Sequence, residues 1–143
     1  MGFQADIRAA SVALLTAYAQ DASIKLQVYP GRPKSIYPPS AFVDAIRESI
    51  IYTGVLLRQR RPTVDVIVVH GIFDSMEAVN QKDVFVDGFL DWATANYHAA
   101  GGNTLVGVTE TEDLPNWFPD WLPPERQVVY YATRIVLEGL ALE

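Results

Sequence analysis

Apolar residues recur at helical spacing in two stretches of this chain and alternate or run unbroken in five others. Between Asp6 and Gln20 the residues Ile7, Ala10, Leu14, Leu15 and Tyr18 stand one turn apart, with helix-favouring alanines between them, which predicts an amphipathic helix. Ile24 to Tyr29 sets Ile24, Leu26 and Val28 against Lys25 and Gln27, a half-buried strand ending at Pro30-Gly31. Pro33, Pro38 and Pro39 lack amide donors, so Gly31 to Ser40 reads as an extended surface connection. Ala41 to Tyr52 fits period two and period 3.6 each in part, and we read it as strand. From Thr53-Gly54 to Pro62 the pattern lapses into a loop or long hairpin tip bearing Arg58, Arg60 and Arg61. The chain returns as a strand from Thr63 to Phe73. There Val64, Val66 and Val68 face one way and Ile67 and Val69 the other, so its centre needs cover on both sides.

Asp74 or Ser75 suits an N-cap for a helix running to about Ala100, where Gly101-Gly102 supplies a left-handed stop. Its buried stripe is expected to be Met76, Val79, Val86, Phe89, Leu90, Ala93 and Tyr97, while Asp83, Asp87 and Asp91 form a column one turn apart on a neighbouring face. Thr104 to Thr111 reads as strand, DLPNWFPDWLPPE as an aromatic and proline-rich connection, and Gln127 to Leu140 as a long closing strand. These elements predict an α+β domain, a mostly antiparallel sheet with an N-terminal helix and one long central helix packed on it.

Composition narrows the function classes. A chain of 143 residues, half of them apolar, can bury a real core, and we expect one domain over 1–143. The mean hydropathy of +0.10 is slightly apolar for a small soluble monomer, which suggests apolar surface covered by partners. A net charge of −6 disfavours broad electrostatic binding to nucleic acid, yet it suits a wall that DNA must slide past. With no cysteine there is no disulfide, thiol nucleophile or thiolate metal site. The sequence has no apolar run long enough to cross a bilayer and no signal-peptide layout at its N-terminus, so the expectation is a soluble protein made in the cytoplasm.

Catalytic equipment is sparse. A nucleophile elbow, a phosphate loop and a dinucleotide fingerprint are all missing. The two histidines, His70 in a strand and His98 near a helix end, read as core or interface residues sooner than as metal ligands, and no metal or cofactor is expected. Asp83, Asp87 and Asp91 repel one another by roughly a few tenths of a kcal/mol per pair, so they need solvent, cations or basic partners. They are a solvated face, a cation site or the wall of a channel. Arg58, Arg60 and Arg61 are a solvated loop, a small nucleic-acid patch or an arm that pairs with carboxylates of a neighbouring subunit. Trp117, Phe118 and Trp121 would form an apolar patch if all were exposed. They therefore make a lid over the sheet, an anchor in an interface, or a platform on which a ligand stacks.

The RQRRP loop with VDVIVVHGIFDS, the helix segment QKDVFVDGFLDW, and TLVGVTETEDLPNWFPDWLPPE ahead of the closing YYATRIVLEG make the whole chain resemble the tail-terminator, or tail-completion, proteins of long-tailed bacteriophages, especially those of phages of actinobacteria. The resemblance implies an α/β fold that assembles as a hexameric ring in the host cytoplasm. The ring caps the head-proximal end of the tail tube, touches the major tail-tube protein and the head-tail stopper or connector, and leaves a channel for DNA in the neck of the virion. It brings no catalytic residues with it. Another neck protein, a stopper or adaptor, and a small enzyme or ligand-binding domain are the alternatives. On the arm reading, replacing the three arginines with alanine weakens ring assembly or docking and leaves the monomer folded.

Overall fold

Helix and strand follow the periodicity of the sequence along most of the chain, and the departures have local physical causes. The computed structural model describes residues 3–52, 54, 58–72, 76–100, 105–139 and 141–142. The helix cap expected at Asp74 or Ser75 and the Gly101-Gly102 stop lie outside the described residues.

Helix α1 (Phe3–Asp21) buries Ile7, Ser11, Leu14, Leu15, Tyr18 and Ala19 along one stripe. It ends because Ser23 turns left-handed at φ 57°, so that the Ile24 amide reaches back to the Ala19 carbonyl at 2.8 Å and the Ser23 amide to Gln20 at 3.3 Å. Ile24 thus belongs to a helix-ending motif. The strand expected from Ile24 shrinks to β1 (Gln27–Tyr29), which pairs in parallel with the start of β2 (Ser40–Tyr52).

Strand β2 runs antiparallel to β3 (Arg58–Ile72) from Ser40 opposite Val69 to Tyr52 opposite Arg58. A bulge between Val43 and Ala45 resets which residues face the helices. Ala41, Val43 and then Ile46 therefore share the helix side, and this three-residue step is why the sequence fits neither period cleanly. The arginines need a correction. Arg58, Arg60 and Arg61 belong to β3 and not to a loop. Pro62 is tolerated in this strand because on that edge it stands between two separate pairings, Thr63 with Glu138 of β5 (Tyr130–Gly139) and Arg60 with Ala141 of β6 (Ala141–Leu142).

Helix α2 (Met76–Ala100) carries the chain across to β4 (Leu105–Trp117), which pairs with β5 (Tyr130–Gly139); the strand order is β1-β2-β3-β5-β4, with β6 attached to β3. The fold is α+β, with every pairing antiparallel except that of β1 with β2. Strand β4 extends well past the predicted Thr111, and Pro115 sits in it without conflict because β4 is an edge strand. Among the described residues, no helix is long and apolar enough to cross a membrane.

Two cores result. On the helix face of the sheet, Val64, Val66, Val68, Ile135 and Leu137 pack under Leu14, Leu15, Phe85 and Phe89. On the other face Phe42, Ile67, Val69 and Ala132 lie under Ile36, Trp117 and Trp121. Tyr18 joins the two helices, its ring 5.3 Å from both Phe85 and Phe89 and 5.5 Å from Trp92. Each such aromatic pair is worth about 1 kcal/mol beyond the area it buries. Gly88 makes room for the Tyr18 hydroxyl, which a Cβ there would meet at 2.5 Å.

Phe89 and Ala93 of the expected α2 stripe are buried and Val79, Val86 and Leu90 are half-buried, but the stripe is rotated toward Ala78 and Phe85, which are also buried, and away from Met76, which is 74% exposed; the side chain of Tyr97 lies outside the described residues. Close approach sets the rotation, for Ala78 sits on Gly71 so tightly that a Cβ at Gly71 would lie 2.9 Å from its own. Gly71→Ala is expected to lower stability by about 1–3 kcal/mol through this overpacking. Urea unfolding reads it, and an unchanged midpoint would mean that α2 is not seated on β3 in this way.

Candidate functional site

Three groups of side chains singled out by the sequence are spread over the molecule and do not converge on one pocket. Arg60 lies against Glu48 of β2, Nε to Oε1 at 2.6 Å and Nη2 to Oε2 at 2.7 Å, with both side chains largely buried and the Phe3 ring 4.5 Å from the guanidinium carbon. Gln4 of α1 donates to the same carboxylate at 2.7 Å. This bidentate pair ties α1 to the hairpin, so Arg60 is committed inside its own chain. Arg61 is exposed and makes no ion pair among the described residues, and the side chain of Arg58 lies outside them. Beyond Glu48 and Arg60 the hairpin carries Ile50, Ile51 and Tyr52, which are 49%, 41% and 74% exposed. Strand β1 covers the outer edge of β2 only at Ser40 to Phe42, and no described strand pairs with that edge from Val43 to Tyr52.

The aromatic cluster is a lid. Trp121 donates Nε1–H to the Pro33 carbonyl at 2.9 Å, stands edge-on to Phe42 at 5.3 Å and carries Arg32 over its face at 4.9 Å. Trp117 lies 5.9 Å from Phe42 and 5.7 Å from Trp121. The two tryptophans thus cover the second face of the sheet, and of the three only Phe118 is mostly outside, at 46% exposed. Beside them is an open cavity of about 490 Å³ with Arg32, Asp44, Asp113 and Asp120 on its walls. Its mouth mixes charge with aromatic surface.

Asp83, Asp87 and Asp91 are all exposed on the outer side of α2. Asp83 accepts from Lys82 Nζ at 2.6 Å, and Lys82 also reaches Asp113 of β4 at 3.3 Å. Among the described residues no group of three His, Cys, Asp or Glu side chains is placed to hold a metal ion.

Sequence reasoning missed a polar cluster at the C-terminal end of β3. His70 is 3% exposed, its Nε2 2.9 Å from Thr133 Oγ1, its ring 5.7 Å from Phe85 and 6.5 Å from Tyr131. Burial, reinforced by the charge of Lys82, lowers its pKa to about 4, against a smaller opposing pull from Asp113. Lys82, held by Asp83 and Asp113 against the cost of burial, is pushed up to about 12. The Tyr131 hydroxyl, 3.4 Å from Asp113, is also raised, first by burial and then by that carboxylate. These groups come from α2, β3, β4 and β5, so no local motif signals them. Within the cluster Lys82 bound to Asp113 anchors α2 to the sheet, and neutral His70 bound to Thr133 joins β3 to β5.

Beside this cluster, an apolar groove of about 370 Å³ opens between the first half of α2 and the Pro38-Pro39 segment, lined by Ile24, Pro39, Val68, His70, Val84 and Phe85. Val84 at its lip is 71% exposed, and Ile72, in an adjoining cleft with Pro38 and Gly71, is 62% exposed.

Two predictions follow from these contacts. Replacing Arg60 with alanine removes both of its bonds to the largely buried Glu48 carboxylate, a loss of about 3 kcal/mol, whereas Arg61→Ala leaves thermal unfolding unchanged. The triple arginine replacement is therefore expected to destabilise the monomer as well as any contact, and Arg61 alone is the cleaner probe of a docking arm. Between pH 6.5 and 4 the unfolded chain protonates its histidine while folded His70 stays neutral. Stability contributed by this site is full above about pH 6.5 and falls by about 3 kcal/mol as pH drops to about 4. His70→Gln removes that component, and denaturation midpoints of both proteins across this range measure the difference.

No protein-family model matches the chain, and no curated protein matches it.

Proposed function

We propose that this chain is a structural protein of the neck of a long-tailed bacteriophage, closing the head-proximal end of the tail tube as a ring, most simply a hexamer. The observation that carries the reading is the far end of the β2–β3 hairpin. It extends past the Glu48–Arg60 pair with Ile50, Ile51 and Tyr52 exposed and no described strand on the β2 edge there. A monomer gains nothing from such an arm, and sheet edges of this kind invite a second chain. The sequence resemblance to tail terminators supplies the setting in which a subunit needs one.

In this reading the ring seats on the major tail-tube protein, stops further addition to it and offers its opposite surface to the stopper or connector of the head. The protein is assembled in the host cytoplasm and resides in the virion. The exposed carboxylates of α2 fit the wall of a channel, because they repel phosphate and let DNA pass without sticking. No catalytic residue, metal or cofactor has a part in it. A stopper or adaptor role makes use of the same arm and differs in its consequences.

Deleting the gene from the source virus and imaging the particles separates these roles. Tail termination predicts abnormally long tubes beside tailless, DNA-filled heads. Tails of normal length that fail to join heads would transfer the protein to the stopper or adaptor role, and normal infectious particles would sink both.

A further inference from the structure

Two exposed apolar features of the described structure lie at opposite ends of β3. At one end is the hairpin arm with Ile50, Ile51 and Tyr52; at the other is the groove beside α2, with Val84 and Ile72 at its margins. Strand β3 spans 15 residues, so the two features are separated by roughly 45 Å along it. One copy cannot bring its own arm to its own groove.

Charge separates the same way. From Arg47 to Arg61 the sequence holds four arginines and one glutamate, whereas α2 holds four carboxylates and one lysine. At the arm Arg61 is exposed without an ion pair among the described residues. At the groove Glu77 is exposed beside the cleft that contains Ile72, and Asp83 is exposed one residue before Val84. Arm against arm would set arginine against arginine, and groove against groove would oppose carboxylates. Arm against groove pairs apolar with apolar and cation with anion.

Simple extension of the sheet from copy to copy is opposed at the other edge. Strand β4 has three register shifts, carries Pro115 and presents Glu110, Glu112 and Asp113, features that blunt an edge against a new strand. The arm therefore needs a different receptor, and the groove is the apolar one.

We propose that the end of the β2–β3 hairpin of one copy, led by Tyr52 and its neighbouring isoleucines, seats in the groove between α2 and Pro38-Pro39 of the next copy. Arg61 lies toward the carboxylates of the receiving α2. Because the two patches are unlike, the contact is head-to-tail, and repetition of it either closes a ring or runs on as a filament. This deepens the ring reading and rests on it for the expectation that the series closes.

The chain has no cysteine, which makes the contact directly testable. Tyr52→Cys and Val84→Cys both alter exposed side chains, so each variant is expected to keep the parent circular dichroism spectrum and unfolding midpoint. The two single variants are mixed and treated with a short bis-maleimide, and the products are identified by mass. The expected product is the mixed dimer, in large excess over either homodimer. The double variant is expected to give a ladder of covalent multimers that stops at the ring number. Predominant Tyr52→Cys homodimers overturn the contact, as does a lack of mixed dimers in preparations where electron microscopy shows rings; the ring reading survives both. A mixed dimer whose ladder runs on without a stop upholds the contact and removes ring closure. No cross-link at any concentration, in solution or on isolated tails, overturns the contact, and the deletion phenotype then decides the ring by itself.

Discussion

Strand β3 is apolar on both faces, and the rest of the molecule is arranged to meet that constraint. Val64, Val66 and Val68 on one side and Ile67 and Val69 on the other are all nearly or fully buried. Neither face can be left to water, because each buried aliphatic side chain contributes about 2 kcal/mol. Helices α1 and α2 serve one face. On the other, Pro33 to Pro39 and the Trp117 to Leu122 segment fold down as a lid, fastened by the Trp121 to Pro33 hydrogen bond. What looks like a sticky aromatic loop is the second half of the core.

The cover stops before the strand does. Among the described residues the last tie on the helix side is the Glu48–Arg60 pair with Gln4, and beyond it Ile50, Ile51 and Tyr52 are exposed. At the opposite end, α2 is pressed to the strand by Ala78 on Gly71 and by Phe85 against the His70 ring, yet a groove remains open where α2 parts from the Pro38-Pro39 segment. An arm and a groove left over at two ends of one strand, with opposite charge excess, make the molecule asymmetric in the way that head-to-tail assembly requires. The same partition keeps the carboxylates of α2 in solvent, where their mutual repulsion is weak.

The class of fold was legible in the sequence because periodicity reports burial. It gave both helices, the doubly covered strand from Thr63 and the closing strand to within a few residues. It failed where burial and element part company. Arg58 to Arg61 belong to β3, but Arg60 is covered through Glu48 and Phe3 and not through an apolar alternation that hydropathy could report; a bulge at Val43 and Ala45 broke the period of β2; Ile24 ends a helix instead of starting a strand. Among the candidate site residues, sequence reasoning placed the aspartate column correctly on an exposed helix face and left the lid as one of three roles for the tryptophans. It could not foresee that Arg60 is spent on Glu48, a partner 12 positions away.

By itself, then, the order of apolar and polar residues determined which segments are helix and strand and which of them must be doubly covered, because those are questions about one segment and its solvent. The tertiary structure alone decided the rotation of α2, the setting of His70 beside Lys82 and Thr133, and which arginine is held inside the chain. Those depend on distances between atoms far apart in the chain: a 2.9 Å approach at Gly71, a hydroxyl over Gly88, a carboxylate across the hairpin. Hydropathy along a sequence carries no record of such distances, since packing is a property of surfaces that meet only after the chain has folded.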